Sequence, residues 1–160
     1  MRTLVYSPDP RLEKMCKEVE SFDLSLLELC EDMINVLFKH DGYSISAPQV
    51  GEPLRIISFM DLTTIEQYPK APRVLINPII YDYSKNYIEE WESSLSLPGL
   101  NVKISSPIWV DVYAQDEYGN DFEERFEFLS ARLIQNQLNQ LDGISISKYQ
   151  NHNNSKYLIQ

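Results

Sequence analysis

Between positions 24 and 40 apolar residues recur at three- and four-residue spacing. Leu26, Leu27, Cys30, Met33, Ile34, Leu37 and Phe38 fall on one side of a helix and form its buried stripe. Ser25 and Glu28 offer a capping box at its start, and Gly42 ends it. Beyond that point the period shortens. Residues 55–60 read as a strand, and residues 74–76 with 79–81 as a second, interrupted by Pro78; residues 61–72, with two prolines, form the loop between them. Residues 87–92 alternate, with their acids in solvent. Further on, Ile108, Val110 and Val112 alternate with Trp109, Asp111 and Tyr113, the chain turns at 116–120, and residues 122–128 return as the second arm of a hairpin. Ile144 and Ile146 alternate with serines as a short closing strand, and the asparagine-rich tail, residues 150–160, frays at its end.

One stretch breaks the usual division between apolar and charged faces. Residues 131–143 have helical spacing, with Leu133, Gln137 and Gln140 on one face, Leu138 and Leu141 turned elsewhere, and Gly143 as the stop. Yet Gln135, Asn136, Gln137, Asn139 and Gln140 give this helix a row of hydrogen-bonding groups without charge. Such a row is either a wet surface or a buried polar network.

Two other segments decide between these. Residues 42–51, GYSISAPQVG, and 92–96, ESSLS, taken with QNQLNQLDG at 135–143, resemble in order and spacing the three motifs of the peptide deformylases, GxGLAAPQxG, EGCLS and QHExDH. Leu4-Val5-Tyr6 followed by Pro8-Asp9-Pro10-Arg11-Leu12 is similar to that family's opening, so the resemblance spans nearly the whole chain. It implies an α+β fold, with small antiparallel sheets around a central helix that bears the amides, and the 24–40 helix outside. With no internal repeat and no linker rich in Gly or Ser, residues 1–160 form a single domain of this kind.

The resemblance also marks where chemistry would sit. In the family the cysteine of the second motif and the two histidines of the third hold a divalent metal, and the intervening glutamate is the acid/base. The matching positions here are Ser94, Asn136, Gln140 and Gln137; the motif's aspartate becomes Asn139, and the second glycine of the first motif becomes Ser44. Carboxamides and a serine hydroxyl are poor ligands for metals that imidazole and thiolate suit, so the expectation is no metal and no cofactor. Bound metal brings water from a pKa of about 15.7 to about 7, so its loss alone removes roughly eight orders of magnitude of hydroxide at neutral pH. Exchanging the glutamate for Gln137 removes a further factor of about a hundred to ten thousand. Charge is lost in balance, and Ser94, Asn136, Gln137 and Gln140 can each donate and accept, so they are expected to satisfy one another as a neutral core, around a water if space allows. Gln49 matches the family glutamine that, with the backbone N–H at Leu95, steadies the formyl oxygen. Its bland alternative is a pairing with Gln137 or a backbone group. The family arginine before the hairpin's proline is Ser106, beside Pro107, so a charged outer layer is expected to be gone along with the metal ligands.

Composition narrows the partners. A net charge of −10 disfavours nucleic acid, anionic membranes and avid docking on the ribosome, and leaves a peptide or another protein. The first residues show no basic run followed by an apolar segment, and no stretch is long enough to span a bilayer, so a cytoplasmic location is expected. Cys16 and Cys30 lack metal or redox spacing and read as reduced core residues; His40 reads as a helix-end histidine, and His152 stands alone. Three functions follow. The first is an inactive deformylase homologue, not an enzyme, retained to bind a peptide or protein. The second is a divergent hydrolase with Ser94 as nucleophile, whose neighbours offer it no base. The third is a relocated metal site drawn from Glu92, Asp142 and the histidines.

Overall fold

The computed structural model describes residues 1–61, 72–150 and Tyr157. It is an α+β fold of seven strands and two α-helices among these residues: α1 (Leu24–Lys39), β1 (Ser44–Ser46), β2 (Ile56–Phe59), β3 (Arg73–Tyr83), β4 (Tyr87–Glu92), β5 (Val102–Pro107), β6 (Trp109–Gln115), β7 (Asp121–Glu127) and α2 (Phe128–Leu141). The strands make a five-stranded antiparallel sheet, ordered β1-β2-β3-β6-β7, and a separate antiparallel pair, β4-β5.

The larger sheet lies between the helices. Ile45, Ile56 and Ile76 pack with Leu26, Cys30, Met33 and Leu37 of α1, while Ile57, Phe59 and Leu75 pack with Ala131, Ile134 and Leu141 of α2. Strand alternation sends neighbours to opposite faces, so if Ile45 joins the α1 core, Ser44 and Ser46 must face α2. A third cluster, Val102, Ile104, Ile146, Tyr149 and Tyr157, closes the outer side of the small sheet.

α2 is the centre of the molecule: eleven of its fourteen residues are buried. It stops at Gly143, whose φ of +77° and a Cβ position 2.5 Å from the Glu13 carbonyl oxygen leave room for glycine alone. The Gly143 N–H donates to Gln140 O, and Ile144 N–H to Asn139 O.

The local readings need several adjustments. α1 is capped by Asp23, whose carboxylate accepts from Leu26 N–H, and the Ser25–Glu28 box is not formed. Its buried stripe is Leu26, Leu29, Cys30, Met33, Val36 and Leu37, with Phe38 exposed, because the helix faces the sheet about one position away from the expected side. Asn77 takes φ +52° and shifts the register, so the chain passes Pro78 within one strand, β3, rather than breaking into two. The arm after the hairpin turn ends at Glu127, and α2 begins at Phe128, three residues before the expected helix start at Ala131. Residues 144–147 make no strand, since Ile146–Tyr149 is a 3₁₀ turn that packs Ile146 and Tyr149 on β5. β5 was not foreseen. Most of the 61–72 loop and of the tail, including His152, lies outside the described residues.

Candidate functional site

The first motif is held in place by its own backbone. Ser46 precedes a 3₁₀ turn, Ala47–Val50, and Gln49 Oε1 accepts from Ser46 N–H at 3.0 Å and from its hydroxyl at 3.2 Å. Gln49 Nε2 donates to Ser96 Oγ at 3.0 Å and lies 3.5 Å from Ser94 Oγ. Ser96 Oγ in turn donates to Val5 O, Ser7 N–H donates to Ser96 O, and Val5 N–H donates to Gln49 O. The chain's opening segment thus ties the first and second motifs together. Gly42 completes the junction: a Cβ there would stand 2.7 Å from Leu95 Cδ1, so its absence lets the second motif close on β1.

From α2 come the amides, and their partners differ from the expected mutual network. Asn136 Nδ2 donates to Ser93 O at 3.2 Å, Gln137 Nε2 to Ser44 Oγ at 2.9 Å, and Gln140 Nε2 to Leu12 O at 2.7 Å. Ser94 Oγ accepts from Ser96 N–H at 3.3 Å. Each amide fastens α2 to a different segment rather than to its neighbours. Gln49 pairs with the Ser46 backbone, as its bland reading foresaw, but not with Gln137. The Gln137 contact follows from strand alternation: Ser44, where the family has glycine, faces α2 and receives its N–H. Gln137 Oε1 is left buried without a partner. An orphaned acceptor of this kind costs about 1–3 kcal/mol.

Above these residues opens a cleft of about 630 Å³, bounded by Gly42 to Ser44, residues 91–95 and 97–101, and Leu129, Leu133, Asn136 and Gln137 of α2. Ser94, Leu95, Asn136 and Gln137 reach its wall. Gln49 and Gln140 lie behind it, buried. His40, the α1 C-cap, and Asp41 stand at its mouth.

The outer layer is charged, contrary to expectation. Arg132, one turn before Asn136, is buried with Glu92 at 2.8 Å, off the hydrogen-bond axis. Its guanidinium donates to Ile88 O, Glu90 O, Ile104 O and Ser106 Oγ. Ser106 Oγ accepts one arm of the Arg132 fork, so the layer around α2 carries a buried charge. Glu92, read as solvated, is held above the ordinary carboxylate range by burial, against the pull of Arg132, Tyr157 and Asn136. Burial likewise drives the Tyr157 hydroxyl well above its usual value, with Glu92 adding to the effect. Asn139 donates to Gln135 O and accepts from Tyr149 OH at 2.8 Å. Arg132 was legible only as a helix residue; a lone cation inside an otherwise uncharged helix is the signal that points to a buried partner.

Tests of the alternative chemistries are short. No carboxylate or imidazole hydrogen-bonds Ser94 among the described residues, so no base is poised on that hydroxyl. Glu92 is paired with Arg132, and Asp142 with Arg55 at 3.0 Å. No cluster of three or more His, Cys, Asp or Glu is found among the described residues. The divalent ion of the family needs imidazole, thiolate or carboxylate, and three amides that donate to three separate acceptors do not fit it. Cys16 and Cys30 are buried thiols, pushed up to about 11 and about 12 by burial, and inert as sequence reading had them. No helix among the described residues is long and apolar enough to cross a membrane.

Comparison with known proteins agrees with the fold. The polypeptide deformylase family matches residues 1–156. Peptide deformylase from Dictyoglomus thermophilum is 37% identical over 138 residues, covering 86% of this chain and 85% of that protein. The protein of that name from Novosphingobium aromaticivorans is 32% identical, covering 90% and 86%. Chloroplastic peptide deformylase 1B from Oryza sativa is 34% identical over 88% of this chain, which spans about half (52%) of the plant protein. The crystal structure of peptide deformylase from Thermotoga maritima superposes with a TM-score of 0.86 at 30% identity, covering 93% of this chain and 97% of that one. These matches correct one expectation, that the chain is not an enzyme: relatives 32–37% identical over most of it are named peptide deformylases, which are enzymes, and nothing in the structure shows inactivity. From the three motifs in order, the fold around α2 and the match over residues 1–156, the chain belongs to the polypeptide deformylase family.

Proposed function

We propose that this chain receives the N-terminal end of a peptide in the cleft between β1, residues 91–101 and α2, and holds it by hydrogen bonds without a divalent ion at Ser94, Asn136 and Gln140. The observation that carries this reading is the cleft itself, an opening of about 630 Å³ in which Ser94, Asn136 and Gln137 present hydroxyl and amide groups beside the apolar Leu95, Leu97, Leu129 and Leu133. Hydroxyl and amide groups set beside apolar walls suit a small peptide end. The acid-rich composition supports a peptide or protein partner over nucleic acid or the ribosome. A cytoplasmic setting belongs to the same proposal.

The test has two parts. Titration with a methionyl tripeptide in its free-amine and its N-formyl forms, followed by amide chemical shifts, is expected to perturb Ser44, Leu95 and Asn136 first; no shift with either form at millimolar peptide overturns the reading. Elemental analysis of protein purified without chelator is expected to find no stoichiometric transition metal. Restoring Ser94→Cys, Asn136→His, Gln137→Glu and Gln140→His together is expected to bring uptake. Stoichiometric metal in the parent overturns the metal-free part.

A further inference from the structure

From the cleft's polarity we infer that it selects a peptide end bearing a free, protonated α-amino group over a formylated or otherwise blocked one. This rests on the peptide-binding reading above and names which end the site takes.

A formyl group offers a carbonyl oxygen, an acceptor, and is best held by a cation or by several converging N–H groups. Here each amide already gives one of its two N–H groups to the chain: Asn136 to Ser93 O, Gln137 to Ser44 Oγ and, behind the cleft, Gln49 to Ser96 Oγ. Among the described residues that line the cleft there is no Lys or Arg. The buried side-chain atoms of its lining that have no hydrogen-bond partner are acceptors, Glu92 Oε1 and Gln137 Oε1. Gln137 is 3% exposed, lines the cleft, and its Oε1 has no partner within the chain. The terminal torsion of a glutamine is broad, so the amide can turn this buried oxygen to an incoming donor, exchanging its Nε2 bond to Ser44 Oγ for the new one.

The mouth carries the matching charge. Asp41 lines the cleft with a carboxylate that no cation pairs among the described residues, whereas the charge of Glu92 is offset by Arg132. An ammonium brings three donors and a positive charge. It can satisfy the orphaned amide oxygen and gain from Asp41; a formamide brings one N–H and no charge. A site with a leftover acceptor, an uncompensated carboxylate and no cation is therefore complementary to a free amine.

Calorimetric titration with the tripeptide amide methionyl-alanyl-alanine and its N-formyl and N-acetyl forms tests this. The free-amine peptide is expected to bind about tenfold tighter or more, as a charge-assisted bond replaces a neutral one. That advantage should fade as pH rises through about 8, where a peptide α-amine loses its proton. The formyl peptide, run over the same pH series, reports the titration of the cleft's own groups, His40, Asp41, Glu92, Tyr6 and Tyr43. Asp41→Asn, which tolerates the φ of +52° at that position, and Gln137→Leu are each expected to shrink the advantage several-fold. Equal or tighter binding of the formyl peptide overturns the inference and leaves the peptide-binding reading standing. If none of the three binds at millimolar concentration, the reading itself falls. An advantage unchanged in both variants overturns its assignment to Asp41 and Gln137.

Discussion

Two polar sets are buried side by side along α2, and they are held differently. Arg132 and Glu92 are charged, and the guanidinium reaches four acceptors besides the carboxylate. Asn136, Gln137 and Gln140 are neutral, and each donates to one acceptor, Ser93 O, Ser44 Oγ and Leu12 O. Burying an ion costs several kcal/mol unless the surrounding dipoles repay it, whereas a buried amide with one missing bond costs far less. The guanidinium therefore has to be saturated to be buried at all, and the amides can remain partly open beside a cleft. Structural rigidity and an unfilled site are separated by one helical turn.

The largest expected effect comes from breaking the saturated set. Arg132→Met leaves Glu92 buried without its counter-charge, and urea denaturation should show a loss of about 3–5 kcal/mol; Glu92→Met in the same chain should recover much of it. A loss no larger than that of an amide variant would erase the contrast. Next comes Gln140→Met, which strips the Leu12 carbonyl of its donor and should cost about 1–3 kcal/mol in the same experiment. Gln137→Met should cost less, within about 1 kcal/mol, since it removes an orphaned acceptor along with one bond to Ser44. If Gln137→Met proves as harmful as Gln140→Met, Gln137 is structural and the open set is closed.

The smallest effect is one of pH. Burial raises the Glu92 carboxyl above its ordinary value of 4.5, so the folded state holds that proton more tightly than the unfolded chain does. Its contribution to stability is then full below about 4.5, the unfolded value, and is lost as pH rises through the folded value. Compared with Glu92→Gln, the parent should gain stability as pH falls from 7 toward 4.5. The opposite slope would mean that Arg132 outweighs burial.

How much of this was legible in the sequence follows from the range of the forces involved. α1 and α2 could be read because their apolar repeats are local, and the motif order placed Gln49, Ser94, Leu95, Asn136, Gln137 and Gln140 around one centre. Ser94, Leu95, Asn136 and Gln137 do meet at the cleft, with Gln49 and Gln140 behind. What the alternation of Ser44 and Ser46 meant for Gln137 required knowing which side of β1 faced α2. Arg132 was missed because its partners, Glu92 on β4 and carbonyls of β4 and β5, are 28 to 44 residues away, and no local pattern encodes them. β5 was missed for a related reason: Val102 and Ile104 are apolar, but the serines at 105 and 106 hide the strand until Tyr87–Glu92 is laid against it.

The bonds from the opening segment also carry a consequence for the order of assembly. Leu12 O receives Gln140, Cys16 N–H donates to Leu141 O, and Val5 and Ser7 hold Ser96. The opening segment thus waits for α2, as far as 128 residues later, before its backbone groups are matched. Contacts of such long sequence separation form late and slow folding. During synthesis the two halves of the cleft can be present while its back wall is still missing. A peptide end proposed to bind there would find its cleft only once α2 has folded onto it, which would make occupancy of the site a report on the folding of α2.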